Sequence, residues 1–235
     1  GSDAERHRPE VFRLTWRGGK LLTQALPTLP RSVANLSGDL LGNTLYLAGG
    51  AERPDSTSTL RTFFALDLGA KQPAWRELEP WPGPARMLAV AAAQDGSFFL
   101  VSGADLSPGP DGKPVRTYLR DGYRYTPGKG WKRIADLPRA TVAAPSPAPT
   151  LGQTRFLVVS GDDALQLATP PTRHLGFPKS VLAYDTRTDR WSEHGTVPAP
   201  RATVPTTRWD GNWLVVSGEQ RPGVRSPEVW KLKSP

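Results

Sequence analysis

The sequence contains no cysteine, one methionine and three histidines among its 235 residues. The absence of cysteine excludes disulfide bonds, thiol nucleophiles and cysteine-ligated metal sites. The histidines His7, His174 and His194 are far apart in the sequence and show no metal-ligand spacing. No run of about 18 apolar residues is present, so no segment of this sequence has the pattern of a transmembrane helix.

Positive charge is in excess, but it is not concentrated in one segment. The 30 Lys and Arg residues against 22 Asp and Glu residues give a net charge of +8. This excess favours an acidic partner through long-range attraction. The basic residues do not form runs, and aromatic residues do not alternate with them as on a nucleic-acid-binding face. The composition therefore argues against a nucleic-acid partner.

Short apolar runs recur along the chain and end in a small residue followed by glycine. The runs are "TLYLAGG", "FFLVSG", "FLVVSG" and "WLVVSG", which begin at residues 44, 98, 156 and 213. A second run follows each of them: "FFALDL", "YRYTP", "LAYDT" and "EVWKL", which begin at residues 63, 123, 182 and 228. The final glycines of the first set recur every 53 to 58 residues. A period of this length indicates a structural repeat.

The repeated runs are β-strand signals. They are rich in Val, Leu, Phe, Tyr and Trp and are bounded by Gly, Pro and Asp. Each unit predicts four antiparallel strands, named a to d in chain order, and radial repetition of such units gives a β-propeller. The pattern resembles the kelch family over nearly the whole chain. The predicted fold is therefore an all-β, kelch-type β-propeller with four antiparallel strands per blade.

The predicted single propeller domain divides into five units of unequal completeness. Residues 1–30 supply strands c and d of a partial blade, residues 31–84, 85–138 and 139–200 supply full blades, and residues 201–235 supply an incomplete blade. Both "PEVFRL" at 9–14 and "PEVWKL" at 227–232 match strand c, which is one strand c too many for a closed ring of four blades. About four blades are therefore expected to belong to a larger ring, and open strand edges are expected to favour self-association.

Alternating strand direction places the b-to-c loops and the d-to-a turns on one face of the propeller. Seven charged side chains are predicted to share that face: Glu219, Arg221 and Arg225 in the last b-to-c loop, and Arg31, Arg86, Arg139 and Arg201 at the d-to-a turns. The two long b-to-c loops, 104–117 and 162–180, are predicted to form the walls of a pocket there, with His174 in the second loop. Arginine binds carboxylates through paired hydrogen bonds, and a neighbouring glutamate can transfer protons.

Both groups of side chains also have a structural alternative. The four arginines at the d-to-a turns can tether loops within the propeller instead of binding a ligand. Glu219 and Arg225 can form a surface salt bridge with no role in chemistry.

A narrower resemblance rests on three segments and the opening of the chain. The segment "WLVVSGEQRPGVRSPEVWKL" at 213–232 resembles the sialic acid mutarotases, also called N-acetylneuraminate epimerases. The segments "ALDL…WRELEPWPGPAR" and "LRDGYRYTPGKGWKRIADLP" resemble earlier blades of the same proteins. The opening "GSDAERHRPEVFRLTW" resembles a cyclically permuted branch of that family, some of whose members are joined to sodium–solute symporters.

The resemblance implies a ring of six blades and a reaction that interconverts the α and β anomers of N-acetylneuraminate. It implies that Glu219 acts as the general acid and base and that Arg225 holds the substrate carboxylate. Arg31, Arg86, Arg139, Arg201, Arg221 and His174 are further candidates for substrate binding. It also implies that no metal or organic cofactor takes part, that a symporter is a candidate partner, and that the location is periplasmic or extracytoplasmic.

A different class of function remains open on the sequence. A kelch propeller can bind a glycan or a protein without catalysis, and the fold alone does not decide between these functions. The copper site of galactose oxidase, which also has a kelch-type propeller, needs a Tyr–Cys crosslink and is excluded because no cysteine is present.

Overall fold

The computed structural model of the chain describes residues 2–3 and 5–232 and shows an all-β fold. Residues 1 and 4 of the first predicted unit and residues 233–235 of the last lie outside the described residues. No helix long and apolar enough to cross a membrane occurs in the part of the chain that the structure describes. The predicted fold class is confirmed, because four sheets are arranged as blades of a β-propeller.

The blades follow one another along the chain. An opening hairpin pairs β1 (Val11–Arg17) with β2 (Lys20–Leu26). The first four-stranded sheet contains β3 (Ser37–Leu41), β4 (Thr44–Ala48), β5 (Phe63–Asp67) and β6 (Trp75–Glu77). Strands β7 (Val90–Gln94) and β8 (Ser97–Val101) begin the second sheet, and a separate hairpin of β9 (Ala104–Pro108) and β10 (Pro114–Tyr118) follows. The second sheet is completed by β11 (Gly122–Thr126) and β12 (Gly130–Ile134).

The second half of the chain repeats this order. The third sheet contains β13 (Thr150–Leu151), β14 (Arg155–Val159), β15 (Ser180–Asp185) and β16 (Arg190–Thr196). The fourth sheet begins with β17 (Thr206–Trp209) and β18 (Asn212–Val216). A short hairpin of β19 (Glu219–Arg221) and β20 (Val224–Arg225) comes next, and β21 (Val229–Leu232) then pairs with β18.

Two segments predicted to be loops contain hairpins. The first, 104–117, contains most of the β9–β10 hairpin, and its tip carries Asp111 and Gly112. The β19–β20 hairpin turns at Pro222 and Gly223, where the φ angle of Gly223 is +74°. Pro-Gly and Asp-Gly pairs are strong turn formers, because proline fixes one φ angle and glycine accepts a positive φ. The local sequence therefore closes both loops into paired strands.

The core lies between blades and depends on the two faces of each strand. Successive side chains of a strand point to opposite faces of the sheet. In β8, the ring of Phe98 lies 5.7 Å from that of Phe63 in the first blade. The ring of the next residue, Phe99, lies 5.1 Å from that of Phe156 in the third blade. All four rings are fully buried, so the aromatic run of strand b joins one blade to both of its neighbours.

The glycine at the end of strand b is required by a close approach of backbone to backbone. Gly50 has a φ angle of +103°, and a Cβ atom there would lie 2.7 Å from the carbonyl oxygen of Ala34. Gly218 has the same role in the last blade, with a φ angle of +106°, and a Cβ atom there would lie 3.1 Å from the carbonyl oxygen of Ala202. A side chain at either position would push strand b away from the start of strand a.

The residue after each of these glycines forms a bridge to the segment that precedes strand a of the same blade. The four bridges are Ala34–Ala51, Met87–Ala104, Val142–Asp162 and Ala202–Glu219. Hydrogen bonds also link consecutive blades: the N–H groups of Leu88, Ala143 and Thr203 donate to the carbonyl oxygens of Asn35, Leu88 and Ala143, at 2.8, 2.8 and 2.7 Å. The bridges and inter-blade hydrogen bonds lie where strands a begin and strands b end, and we call this end of the propeller, with its b-to-c segments, the rim. Glu219 is held in the rim by its bridge to Ala202.

Candidate active site

Glu219 and Arg225 face each other across the β19–β20 hairpin. They are direct partners in the strand register, and Nη2 of Arg225 lies 3.6 Å from Oε1 of Glu219. That distance allows an ion pair but is too long for a good hydrogen bond. The side chain of Glu219 is 23% exposed and that of Arg225 is 58% exposed. Both groups therefore keep hydrogen-bonding capacity for a ligand.

Arg221 fixes the hairpin to the neighbouring long loop. Its Nη1 donates to the carbonyl oxygen of Pro171 at 2.8 Å, and the N–H of Phe177 donates to the carbonyl oxygen of Gln220 at 3.0 Å. The 162–180 loop therefore packs against the hairpin that carries Glu219, as expected for a wall of the site.

His174 is buried in that wall. Its Nδ1 accepts a hydrogen bond from the N–H of Gly176 at 3.0 Å, and its ring meets the ring of Phe177 edge-on at 5.4 Å. His174 also lines a cavity of about 240 Å³ that includes Pro222 of the β19–β20 hairpin. The structure therefore places His174 in the loop that packs against the β19–β20 hairpin.

Arg86 lies inside its blade and its charged group is occupied by protein partners. The guanidinium donates to the carbonyl oxygen of Ser102 and to Oδ2 of Asp121, both at 2.8 Å. It also lies over the rings of Trp81 and Tyr123, at 5.4 and 5.3 Å from their centroids. The side chain is fully buried. A ligand would have to displace these groups to reach it, so the geometry favours the structural alternative for Arg86.

Arg201 has the corresponding position in the last blade. Its Nη2 donates to Oε2 of Glu228 at 2.6 Å and to Oγ of Ser226 at 3.1 Å. Its guanidinium carbon lies 4.0 Å from the centroid of Trp230. Like Arg86, it is fully buried and ties the start of strand a to the start of strand c.

The other two arginines at the d-to-a turns are also engaged by the protein. Arg139 donates to the carbonyl oxygens of Ser160 and Ser180, both at 3.0 Å, and burial lowers its pKa. Arg31 is exposed, and its Nη2 lies 3.8 Å from Oε1 of Glu77. Arg221 therefore lies in the same hairpin as the Glu219–Arg225 pair, and His174 lies in the loop packed against that hairpin. Arg86, Arg139 and Arg201 are bound by groups of the protein, whereas Arg31 stays exposed.

Three side chains of this rim were not predicted from the sequence. Asp162 accepts a hydrogen bond from the hydroxyl of Tyr118 at 2.8 Å, and both residues line the 240 Å³ cavity together with Arg116. Arg116 also lines a larger neighbouring cavity of about 510 Å³. The repeat contains a signal for one of them, because Asp162 follows its glycine just as Glu219 does.

Several curated proteins are similar in sequence to this chain. No family model matches the chain. It is 27% identical over 237 residues to an N-acetylneuraminate epimerase of Haemophilus influenzae (strain PittEE), which covers 89% of this chain and 60% of that protein. It is 26% identical over 254 residues to an N-acetylneuraminate epimerase of Brucella melitensis biotype 1, which covers 95% of this chain and 63% of that protein.

A solved structure entitled "Structure of YjhT" superposes with a TM-score of 0.69 at 19% identity, over 87% of this chain and 62% of that one. The likeness confirms the β-propeller fold, and the relatives confirm the predicted resemblance to N-acetylneuraminate epimerases. The chain spans about 60% of the length of the first curated relatives that it matches.

Proposed function

We propose that the protein contributes to a sialic acid mutarotase, which interconverts the α and β anomers of N-acetylneuraminate. The observation that carries this proposal is the Glu219–Arg225 pair, in which a carboxylate and a partly exposed guanidinium lie 3.6 Å apart. The relatives named N-acetylneuraminate epimerase supply the class of substrate.

The reaction requires proton transfers at two oxygen atoms of the sugar. The anomeric hydroxyl loses a proton and the ring oxygen gains one, so the ring opens to the keto form. Rotation then presents the other face of the carbonyl, and the same transfers in reverse close the ring. Glu219 acts as the general acid and base in both directions, a contribution worth about 10²–10⁴-fold in rate.

Arg225 supplies recognition of the substrate charge. Guanidinium and carboxylate groups form paired hydrogen bonds, which fix orientation as well as position. Because Arg225 is more exposed than Glu219 and lies beyond hydrogen-bond distance from it, a sugar carboxylate can become its main partner. The substrate then takes over as counter-ion, and Glu219 faces the anomeric carbon next to that carboxylate.

The test is anomer exchange followed by NMR on freshly dissolved N-acetylneuraminate, with and without protein. We expect the wild-type protein to accelerate exchange and Glu219→Gln to lose about 10²–10⁴-fold of that acceleration. Arg225→Ala should raise the sugar concentration needed for half-maximal rate. Glu52→Gln is the matched control, because Glu52 is an exposed acid in the corresponding loop of the first blade.

Two results would contradict the proposal. If folded wild-type protein leaves the exchange rate unchanged, the site does not catalyse mutarotation, and binding measured without exchange would then indicate a non-catalytic glycan-binding propeller. If Glu219→Gln and Glu52→Gln retain the same acceleration, Glu219 is not the proton-transfer group.

A further inference from the structure

Asp162 and Glu219 have equivalent positions in neighbouring blades. Each follows the glycine at the end of strand b, and each bridges to the segment before strand a of its own blade. The N–H of Gly161 donates to the carbonyl oxygen of Arg201 at 3.1 Å, so Asp162 lies beside the segment that bridges to Glu219. The backbones that carry the two acids are thus about two strand spacings apart, roughly 10 Å. Both acids lie on the rim, and each makes its own backbone bridge.

The carboxylate of Asp162 is held in place but not saturated. Its Oδ2 accepts from the hydroxyl of Tyr118 at 2.8 Å, and its Oδ1 accepts from the N–H of Ala164 at 3.0 Å. A carboxylate oxygen can accept about two hydrogen bonds, so each oxygen has capacity for one more donor. Burial raises the pKa of Tyr118 to about 12, so its hydroxyl stays a donor at neutral pH. Asp162 is therefore an oriented acceptor.

The space in front of Asp162 is small and is lined by both polar and apolar side chains. The 240 Å³ cavity is lined by Arg116, Tyr118, Asp162, Gln166, Thr169 and His174, among others. Binding sites for small molecules usually measure about 300–1,000 Å³, so this cavity suits a part of a ligand instead of a whole one. Its edge reaches Pro222, in the turn of the hairpin that carries Glu219 and Arg225. One ligand can therefore extend from the hairpin into the cavity.

We propose that this cavity is a subsite for the polyhydroxylated side chain of the sugar, with Asp162 accepting hydrogen bonds from neighbouring hydroxyl groups and Arg116 donating to sugar oxygens. The proposal rests on the proposed function of the Glu219–Arg225 pair. In N-acetylneuraminate a three-carbon polyol is attached to the ring carbon on the far side of the ring oxygen from the anomeric carbon. A backbone separation of roughly 10 Å leaves room for one such sugar to contact both acids.

The contacts of Asp162 favour a role in binding over a second proton-transfer role. A proton-transfer group must lie within about 2.6–3.2 Å of the atom that it serves, or reach it through one water. Asp162 is held at the cavity by Tyr118 and Ala164, and neither Glu219 nor Arg225 lines that cavity. Its contribution is therefore to affinity and to the choice of sugar.

The test combines two sugars with three forms of the protein. Binding of N-acetylneuraminate, and of an analogue whose polyol side chain is cut back to one carbon, is measured by isothermal titration calorimetry. We expect Asp162→Asn to weaken binding of the complete sugar about 10- to 100-fold, as for loss of hydrogen bonds to a charged acceptor. Binding of the truncated analogue should change less than about twofold. Asp163→Asn is the matched control, because its carboxylate caps the N–H of Leu165 and does not line the cavity.

Tyr118→Phe provides a second, conservative variant. It removes the hydroxyl that orients Asp162 and should weaken binding of the complete sugar but not of the truncated one. Thermal unfolding of each variant checks that the fold persists. If Asp162→Asn weakens both sugars equally, or neither, the subsite is wrong while the proposed function stands on the wild-type binding and exchange. If the wild-type protein neither binds the complete sugar nor accelerates its exchange, the proposed function itself fails.

Discussion

Replacement of Arg86 by methionine should destabilise the protein strongly without affecting recognition of the sugar. The guanidinium is fully buried, and its partner Asp121 is only 12% exposed. Methionine fills a similar volume but leaves the Asp121 carboxylate without its counter-ion. The other carboxylate oxygen of Asp121 is already buried without a hydrogen-bond partner among the described residues. The carboxylate would then keep one strong contact, the hydroxyl of Tyr123 at 2.7 Å.

The expected cost follows from this loss of compensation. Removal of one member of a buried ion pair typically costs about 3–5 kcal/mol, because an uncompensated charge remains in the interior. In a chain of this size, each kcal/mol lowers the melting temperature by about 2–4 °C, so a decrease of roughly 6–20 °C is expected. Replacement of both partners, as in Arg86→Met with Asp121→Leu, should recover much of the loss, since no charge is then left unpaired.

Chemical and thermal unfolding of Arg86→Met, of Asp121→Leu and of the double variant measures these differences in stability. Arg31→Met provides the control. Arg31 pairs with Glu77 at 3.8 Å, and both side chains are well exposed, so its loss should cost less than about 1 kcal/mol. If Arg86→Met costs no more than Arg31→Met, the buried pair does not stabilise the blade. If a stable Arg86→Met variant instead fails to bind N-acetylneuraminate, the residue has the ligand role predicted from the sequence.

Two further perturbations test the rim and the opposite end of the propeller. Burial raises the pKa of Asp39 to about 6, although its carboxylate accepts a hydrogen bond from the N–H of Ala93 at 2.6 Å. The native state therefore binds more protons than the unfolded state between about pH 4 and 6. In urea unfolding, the stability of the wild type should fall relative to that of Asp39→Asn as the pH rises through this range. A stability difference that does not depend on pH would contradict the raised pKa of Asp39. Gly50→Ala should destabilise the protein by more than about 2 kcal/mol, because the new Cβ would lie 2.7 Å from the carbonyl oxygen of Ala34 at a positive φ. Gly42→Ala is the control and should cost less, because no atom lies within 4 Å of its new Cβ. Equal losses of stability in thermal unfolding would refute the steric argument.

Much of the fold could be predicted because the strand signals are local and repeated. The run "FLVVSG" predicts a strand near residues 156–161, and β14 spans Arg155–Val159. Composition and turn residues act over a few neighbours, so they can be seen without knowledge of the tertiary structure. The β9–β10 hairpin was predicted as a loop, since its charged and proline-containing strands lack the apolar pattern of a blade.

The site could be predicted in part, for the same physical reason. The position of Glu219 and Arg225 beyond strand b depends on the strand order, which the repeat supplies. The burial of Arg86 depends on Ser102 and Asp121, which lie at the two ends of the b-to-c connection of the same blade, 16 and 35 residues further along the chain. Whether an arginine at a d-to-a turn reaches solvent is therefore a property of the folded blade. The contact between Tyr118 and Asp162 was missed because it joins two different b-to-c segments.

The rim shows how one repeated position can have two uses. The residue after the final glycine of strand b is Ala51 and Ala104 in the first two blades, and Asp162 and Glu219 in the next two. Ala51 lines the 510 Å³ cavity, where a small side chain leaves space, and Asp162 lines the 240 Å³ cavity, where a carboxylate supplies an acceptor. Because the backbone bridge is the same in all four blades, the side chain can change without loss of the blade. Open space and a carboxylate acceptor therefore occur at equivalent positions of different blades, and such an acceptor suits a ligand that carries hydroxyl groups.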